Sequence, residues 1–319
     1  MAPNKSFSWT QFFPPKPRFS AQDMPNLQGK VYVVTGGNSG MGKELAQALY
    51  AKNAKVYLTY RIEEKGSEAI KDIKRKVPAS KRKLVFLHLE LANLKNVRAA
   101  AKTLLSRESN NKLHGLFNNV KMIVGPAEPP TKTAQGYEEA IGVNCIGTFL
   151  FTKLLTPALI AAARSEPADT VRVVWLSSFG LEQFAPEGGA IDMSNLDFHN
   201  PKPGIERYGL SKVGTWLVAI NPGNIRTALA RHQGAALKLI AGAIVYPVKN
   251  GVSAQLFTGF SKEITTKFDW KTEWVIPFGR IARLRPDLTQ ATLPTTDGGN
   301  GSAQVFWEWN EQQVKDYLE

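Results

Sequence analysis

The chain has 319 residues, is 43% hydrophobic and carries a net charge of +13. That length and apolar content suffice for one large packed domain, with or without appendages. A single cysteine, Cys145, excludes an intrachain disulfide and fits a reducing, cytoplasmic setting. The four histidines, His88, His114, His199 and His232, show no metal-ligand spacing, so no zinc site is expected.

Residues 1–28 are rich in proline and aromatics (Phe7, Trp9, Phe12, Phe13, Pro14, Pro15, Pro17) and read as an irregular N-terminal arm. The arm packs on the domain surface, covers a substrate mouth, or touches a membrane peripherally; the sequence leaves the three open. No signal-peptide pattern is present. No stretch reads as long and apolar enough to span a bilayer; the best, 239–248, is interrupted by Gly242 and Pro247.

From residue 29 to 319 the chain reads as a single domain. Strands are expected over 30–35, 55–59, 83–89, 115–118 and 171–176. Helices are expected between them, over 40–52, 63–76, 94–107 and 134–164. This alternation predicts an α/β fold, a doubly wound parallel sheet with helices on both faces and ligands at the carboxyl ends of the strands. Lys71, Lys74, Arg75, Lys76, Lys81, Arg82 and Lys83 form a basic run. No aromatic residues interleave them to stack bases, so they read as a solvated helix face and loop, and no nucleic-acid partner is expected.

The apolar run at 31–34 enters the turn Thr35-Gly36-x-x-x-Gly40-x-Gly42, and a helical pattern follows directly. A strand feeding a helix N-terminus through glycines suits a phosphate: free backbone N–H groups and the positive end of the dipole face the anion. This spacing resembles the glycine turn of the short-chain dehydrogenase/reductase family, and the resemblance implies cofactor contacts from Gly36, Ser39, Gly40, Met41 and Gly42. The second strand ends in Arg61, where an acidic residue would bind ribose hydroxyls. A guanidinium there, with Lys43 nearby, suits a 2′-phosphate, so the expected cofactor is NADP.

Further residues carry the resemblance along the chain. It implies that Glu90, after the third strand, lies against adenine. Asn118-Asn119-Val120-Lys121 stands where the family has Asn-Asn-Ala-Gly; Asn118 is expected at the cofactor, while Val120 and Lys121 are far larger than the family's residues. Asn144, early in a long helix, matches the asparagine that kinks that helix and holds a proton-relay water. Ser178 ends the fifth strand, and a stretch at 179–205 is expected to carry part of the substrate pocket. Tyr208 and Lys212, four apart, share a helix face. A neighbouring ammonium and the oxidised nicotinamide favour the Tyr208 phenolate, which exchanges a proton with a substrate oxygen that Ser178 also bonds. Lys212 is expected to reach the nicotinamide ribose, and Asn144 to continue the relay. Asn144, Ser178, Tyr208 and Lys212 are thus the expected catalytic residues.

Pro222-Gly223-x-x-x-Thr227 resembles the loop that closes over nicotinamide and pyrophosphate, with Ile225 and Thr227 as contacts. Only nine residues, 213–221, separate it from Lys212. A parallel crossover needs about a dozen or more, usually as a helix. The expectation is therefore a shortened crossover, with the Tyr208 helix ending near Trp216 and a sixth strand stunted to 217–220 or lost. The oligomeric state stays open, because the helix pair by which many family members dimerise is itself shortened.

The apolar stretch 235–248 lies in a substrate lid expected around 228–262, which suits a lipophilic substrate. Helix is expected over 250–260, a last strand over 274–279, and a final amphipathic helix capped by Ser302, with Phe306, Trp309 and Tyr317 toward the body. The length, the stretch 192–198 and the tail resemble a fungal-type, retinol-dehydrogenase-like branch of the family. This implies an oxidoreductase that moves hydride between NADP and a small-molecule alcohol or ketone, with secondary metabolism as its setting. The alternative is a catalytically impaired nucleotide-binding or scaffold protein, because of the short crossover.

Overall fold

The computed structural model describes residues 10–122, 130–215, 219–223, 225 and 246–319. The elements, in chain order, are β1 (Val31–Thr35), α1 (Gly40–Ala51), β2 (Lys55–Tyr60), α2 (Glu63–Lys76), β3 (Leu84–His88), α3 (Leu94–Ser106) and β4 (Gly115–Asn118). They continue with α4 (Glu139–Ala163), β5 (Arg172–Leu176), α5 (Gly180–Phe184), α6 (Gly204–Gly214), β6 (Ala219–Ile220) and α7 (Val248–Phe260). The chain ends with β7 (Glu273–Ile276), β8 (Arg280–Arg283), α8 (Pro286–Thr292) and α9 (Ser302–Val314).

The eight strands form one sheet in the order β3-β2-β1-β4-β5-β6-β7-β8. Seven are parallel, and β8 runs antiparallel to β7. Every residue of β1 is buried, as both faces of a parallel sheet are covered. Strand alternation divides the core. Val31 and Val33 join Leu116, Val97, Leu104, Ile146 and Leu150 under α3 and α4. Tyr32 and Val34 join Leu45, Leu49, Val174, Val252 and Phe257 under α1 and α7. Strand order reverses between β1 and β4, the place where such sheets open a ligand crevice at their carboxyl edge.

The helices end where local chemistry says they should. Asn53, just past α1, is left-handed (φ 70°). Glu63 and Glu64 open α2 and Lys74, Arg75 and Lys76 close it, matching the helix dipole at both ends. Much of the basic run is thus a helix terminus. Its Asp72 carboxyl is held well below its ordinary range by Lys43, Arg75 and Lys76.

Several expectations need correction. The long helix starts at Glu139 rather than 134, and Gly142–Gly147 forms a wider, π-type turn within it. A side chain at Gly147 would sit 2.2 Å from the Leu91 carbonyl oxygen, so this close approach needs glycine. Contrary to the expectation that no stretch qualifies, α4 is long and apolar enough to cross a membrane, by length and composition only. It is mostly buried, with Leu150, Phe151 and Leu155 in the core, which is how the central helix of an α/β fold meets the same criterion. Strand β8 was not foreseen; it follows β7 through a turn at Gly279 (φ 82°) and covers the sheet edge. Ser302 opens α9 but does not cap it: the cap is left-handed Gly301, and Ser302 donates to Asn300 Oδ1 at 2.7 Å.

The crossover is as short as the sequence requires. Helix α6 ends at Gly214 with Thr215 as its cap, and β6 has two residues, Ala219 beside Trp175 and Ile220 between Leu176 and Val275. Trp216 lies outside the described residues. Of the expected lid, 228–245 also lies outside them. The part at Val248–Phe260 is a core helix, buried from Gly251 to Gly259, and not a cover.

Candidate active site

The glycine turn leaves β1 with Gly36 and Gly40 both left-handed (φ 66° and 53°). Gly42, in the first turn of α1, lies so close to the glycine turn that a Cβ there would sit 2.3 Å from the Gly36 carbonyl oxygen. Thr35 holds the turn to the loop after β4. Its Oγ1 accepts from the backbone N–H groups of Asn119 (2.9 Å) and Val120 (3.0 Å), and Asn119 Nδ2 donates to the Thr35 carbonyl at 3.0 Å. Gln255 Nε2, from α7, donates to Asn119 Oδ1 at 2.8 Å. Ser39 precedes α1 without using its side chain as a cap. Met41 is buried, and Met41 and Ile225 both lie against Gly251.

Around this turn the expected cofactor residues are spread over three strand ends. Arg61 is exposed just beyond β2. Lys43 is engaged with Asp72 at 2.6 Å, so of the two cations expected to meet a phosphate it already has an anion. Glu90 is half-buried, its backbone N–H bonded to Asn96 Oδ1 at 2.7 Å. Asn118 is buried; its Nδ2 donates to Thr152 Oγ1 at 3.0 Å, while its Oδ1 has no partner among the described residues. Thr227 lies outside the described residues. The glycine cradle and the orphaned Asn118 oxygen fit a group that brings phosphates and a hydrogen-bond donor to this crevice.

The loop at Val120 and Lys121 is tied to the glycine turn by the Val120 N–H bond to Thr35. Val120 Cγ2 covers Gly36, 3.1 Å from where its Cβ would stand. Lys121 is half-buried, and burial pushes its ammonium down to about 8.

Ser178, Tyr208 and Lys212 meet at the carboxyl end of β5. Ser178 Oγ accepts from Gly180 N–H at 3.2 Å and hydrogen-bonds the Tyr208 phenol. Lys212 Nζ donates to the Leu176 carbonyl at 3.0 Å and lies 5.8 Å from the centre of the Tyr208 ring. Burial pushes the Tyr208 phenol up to about 12, opposed by the Ser178 hydrogen bond. Burial pushes the Lys212 ammonium down to about 7; Cys145 opposes this and the charge of Lys121 adds to it. The expected phenolate draws on the oxidised nicotinamide as well as the ammonium; in the protein alone burial is the larger influence on both groups. Desolvation drives both groups toward their neutral forms.

Asn144 sits in the π-type turn, in the bend where it was expected. Its Oδ1 accepts from Met122 N–H at 2.8 Å, and its Nδ2 donates to the Met122 carbonyl (3.0 Å) and to Ser211 Oγ (2.8 Å). Its direct partner on α6 is thus Ser211, between Tyr208 and Lys212. Below it, the Cys145 thiol donates to the Ser211 carbonyl at 3.2 Å.

Three contributors have contacts that sequence reading does not assign. Gln11 of the arm donates to Glu182 Oε2 (2.8 Å) and accepts from Asn221 Nδ2 (2.7 Å), so the arm ties the segment after Ser178 to the Pro222 loop. Phe12 packs edge-on against Phe179 at 5.0 Å between ring centres. Arg207, beside Tyr208, is buried with Glu138 at 3.9 Å. Phe12 and Arg207 had a signal: an aromatic-rich arm, and a charged residue immediately before Tyr208.

Comparison with known proteins decides the family. A family model described as short chain dehydrogenase matches residues 30–190. A short-chain dehydrogenase/reductase of Phomopsis amygdali is 43% identical over 330 aligned positions, covering 98% of this chain and 97% of the relative. The chain belongs to the short-chain dehydrogenase/reductase family. It is an oxidoreductase of that family, with fungal relatives: a second, from Neocamarosporium betae, is 42% identical over 98% of this chain and 94% of its own. The 330 aligned positions exceed the 319 residues present, so the Phomopsis amygdali relative carries residues with no counterpart here. The fold matches a crystal structure of an uncharacterized protein from Mycobacterium paratuberculosis with a TM-score of 0.62, at 21% identity, covering 93% of this chain and 97% of that one.

Proposed function

We propose that the protein is an NADP-dependent oxidoreductase acting on the alcohol or ketone carbon of a lipophilic small molecule, with fungal secondary metabolism as its setting. The observation that carries this reading is the meeting of Ser178, Tyr208 and Lys212 at the carboxyl end of β5, in the crevice that the glycine turn also faces.

The cofactor, when bound, supplies or accepts the hydride. The chain's own residues handle the proton. The Tyr208 phenol, neutral at physiological pH, donates to the oxygen of a ketone as it becomes an alkoxide, and takes the proton back in the reverse direction. Ser178 Oγ, bonded to that phenol, orients the same oxygen. Lys212 is near the midpoint of its titration at neutral pH, which suits a group that passes a proton onward. Arg61 would pair with the 2′-phosphate, and its exposure leaves the guanidinium available. The aromatic pair Phe12–Phe179 beside Ser178 supports an apolar substrate.

The short crossover and the bulk of Val120 and Lys121 favour a second reading, a nucleotide binder with impaired chemistry. Calorimetric titration with NADPH and NADH, followed by turnover on a panel of apolar ketones, separates the two. Tight NADPH binding, weaker NADH binding and ketone-dependent NADPH consumption support the enzyme. NADPH binding with no turnover of any ketone supports the impaired binder, and no binding of either nucleotide by folded protein overturns both.

A further inference from the structure

A cavity of about 220 Å³, partly open to solvent, lies between α4, β5, the last turn of α6 and α9. Its lining is mostly apolar, with Phe149, Val173, Trp175, Val213 and Phe306 among its walls. Ser178, Tyr208 and Lys212 do not border it, so among the described residues it is separate from the candidate active site. Helix α6 ends at Gly214, and Val213, Gly214 and its cap Thr215 line one side of the cavity.

Among the described residues, one buried side-chain acceptor in this lining has no hydrogen-bond partner. Asn310 is 3% exposed, and its Nδ2 donates to the Phe306 carbonyl at 2.8 Å. That bond fixes which end of the amide is nitrogen, since a carbonyl accepts only from a donor. Asn310 Oδ1 is therefore a buried acceptor, and it has no hydrogen-bond partner among the described residues. Leaving such a group unpaired is costly, so a donor brought to it is favoured. An apolar cavity of about 150 Å³ is already large enough to take up benzene.

We propose that this cavity is a second small-molecule site, which takes a compact apolar molecule carrying one hydrogen-bond donor, of the phenol or cyclic-alcohol class. The hydrocarbon part lies against Val173, Trp175 and Phe306, and the hydroxyl donates to Asn310 Oδ1. The inference does not depend on the NADP reading, because none of the expected cofactor residues among the described ones borders the cavity.

The test is calorimetric titration of the full chain with 2-naphthol and with naphthalene. The same titrations are run on Ala303→Phe, which fills the cavity from α9, and on Asn310→Leu, which removes the acceptor at similar volume. Expected for the unaltered chain is one 2-naphthol per chain, bound at least about tenfold more tightly than naphthalene. Ala303→Phe abolishes binding of both, and Asn310→Leu brings the two affinities together. Thr156→Phe fills the cavity from α4 if Ala303→Phe lacks a cooperative thermal transition. The proposal is overturned if folded protein binds neither probe, if the filled variants bind as before, or if the preference for 2-naphthol survives Asn310→Leu. Equal affinities in the unaltered chain also overturn it, because a water on Asn310 then serves the acceptor.

Discussion

Tyr208 and Lys212 lie one helical turn apart, and burial drives their titrations in opposite directions, to about 12 and about 7. For Lys212 the folded-state value is depressed, so between about pH 7 and pH 10.4, the ordinary lysine value, the unfolded chain binds more protons than the folded one. Stability therefore rises with pH across that window as the cost of a buried ammonium disappears, and this contribution is absent below pH 7. Lys212→Met keeps the length and removes the titration. Urea unfolding at pH 6 and pH 9 is expected to show a gain for the unaltered chain that exceeds the variant's by on the order of a few kcal/mol. An equal gain in both would mean that Lys121, with its own value near 8, carries the effect. Tyr208→Phe tests the proton transfer itself: ketone turnover is expected to fall by about 100-fold or more with little change in NADPH affinity. These residues are legible in the sequence because their spacing is local. The partners of Thr35 and Gln255 are not, because they lie 84 and 136 residues away.

Helix α6 carries Tyr208 and Lys212 in eleven residues, and the crossover behind it leaves no room for more. Its rigidity comes from the side. Asn144 and Cys145 of the π-type turn bond Ser211, Ser177 Oγ donates to the Lys212 carbonyl at 3.4 Å, and Arg207 lies beside Glu138, just before α4. Both members of that last pair are 1% exposed, and Glu138 Oε2 also accepts from Ile141 N–H. Burial raises the Glu138 carboxyl, so removing its cation leaves a costly group behind. Arg207→Met is expected to lower the unfolding free energy by about 3–5 kcal/mol, and a companion Glu138→Leu to restore most of it, because a buried pair replaced whole by apolar groups is close to neutral. Urea midpoints of the two variants measure this, and a double variant no better than the single one would assign the loss to other contacts of Arg207. At this scale the sequence predicts the stunted β6 from residue counting alone. It cannot show that a π-type turn and a buried ion pair take over from the missing length, because neither leaves a periodic pattern.

The two cores meet through one sheet, and neighbouring residues of β1 serve opposite faces: Val33 packs toward Leu150 of α4, and Val34 toward Leu45 of α1. The α/β alternation makes this arrangement legible in the sequence, since a five-residue strand buried throughout needs helices on both sides. The antiparallel β8 is less legible, because Arg280 and Arg283 read as loop residues until β7 gives them a partner. A strand that belongs to both cores cannot remain ordered when one of them melts. Leu45→Ala and Leu150→Ala, each at a fully buried position, are expected to cost about 2–5 kcal/mol and to lower the midpoint of the same single transition. Tryptophan fluorescence and far-ultraviolet circular dichroism should follow that transition together in both variants. If Leu150→Ala instead splits unfolding into two steps while Leu45→Ala does not, the α4 face unfolds independently, and the candidate site that α4 and α6 share would lose its support before the glycine turn does.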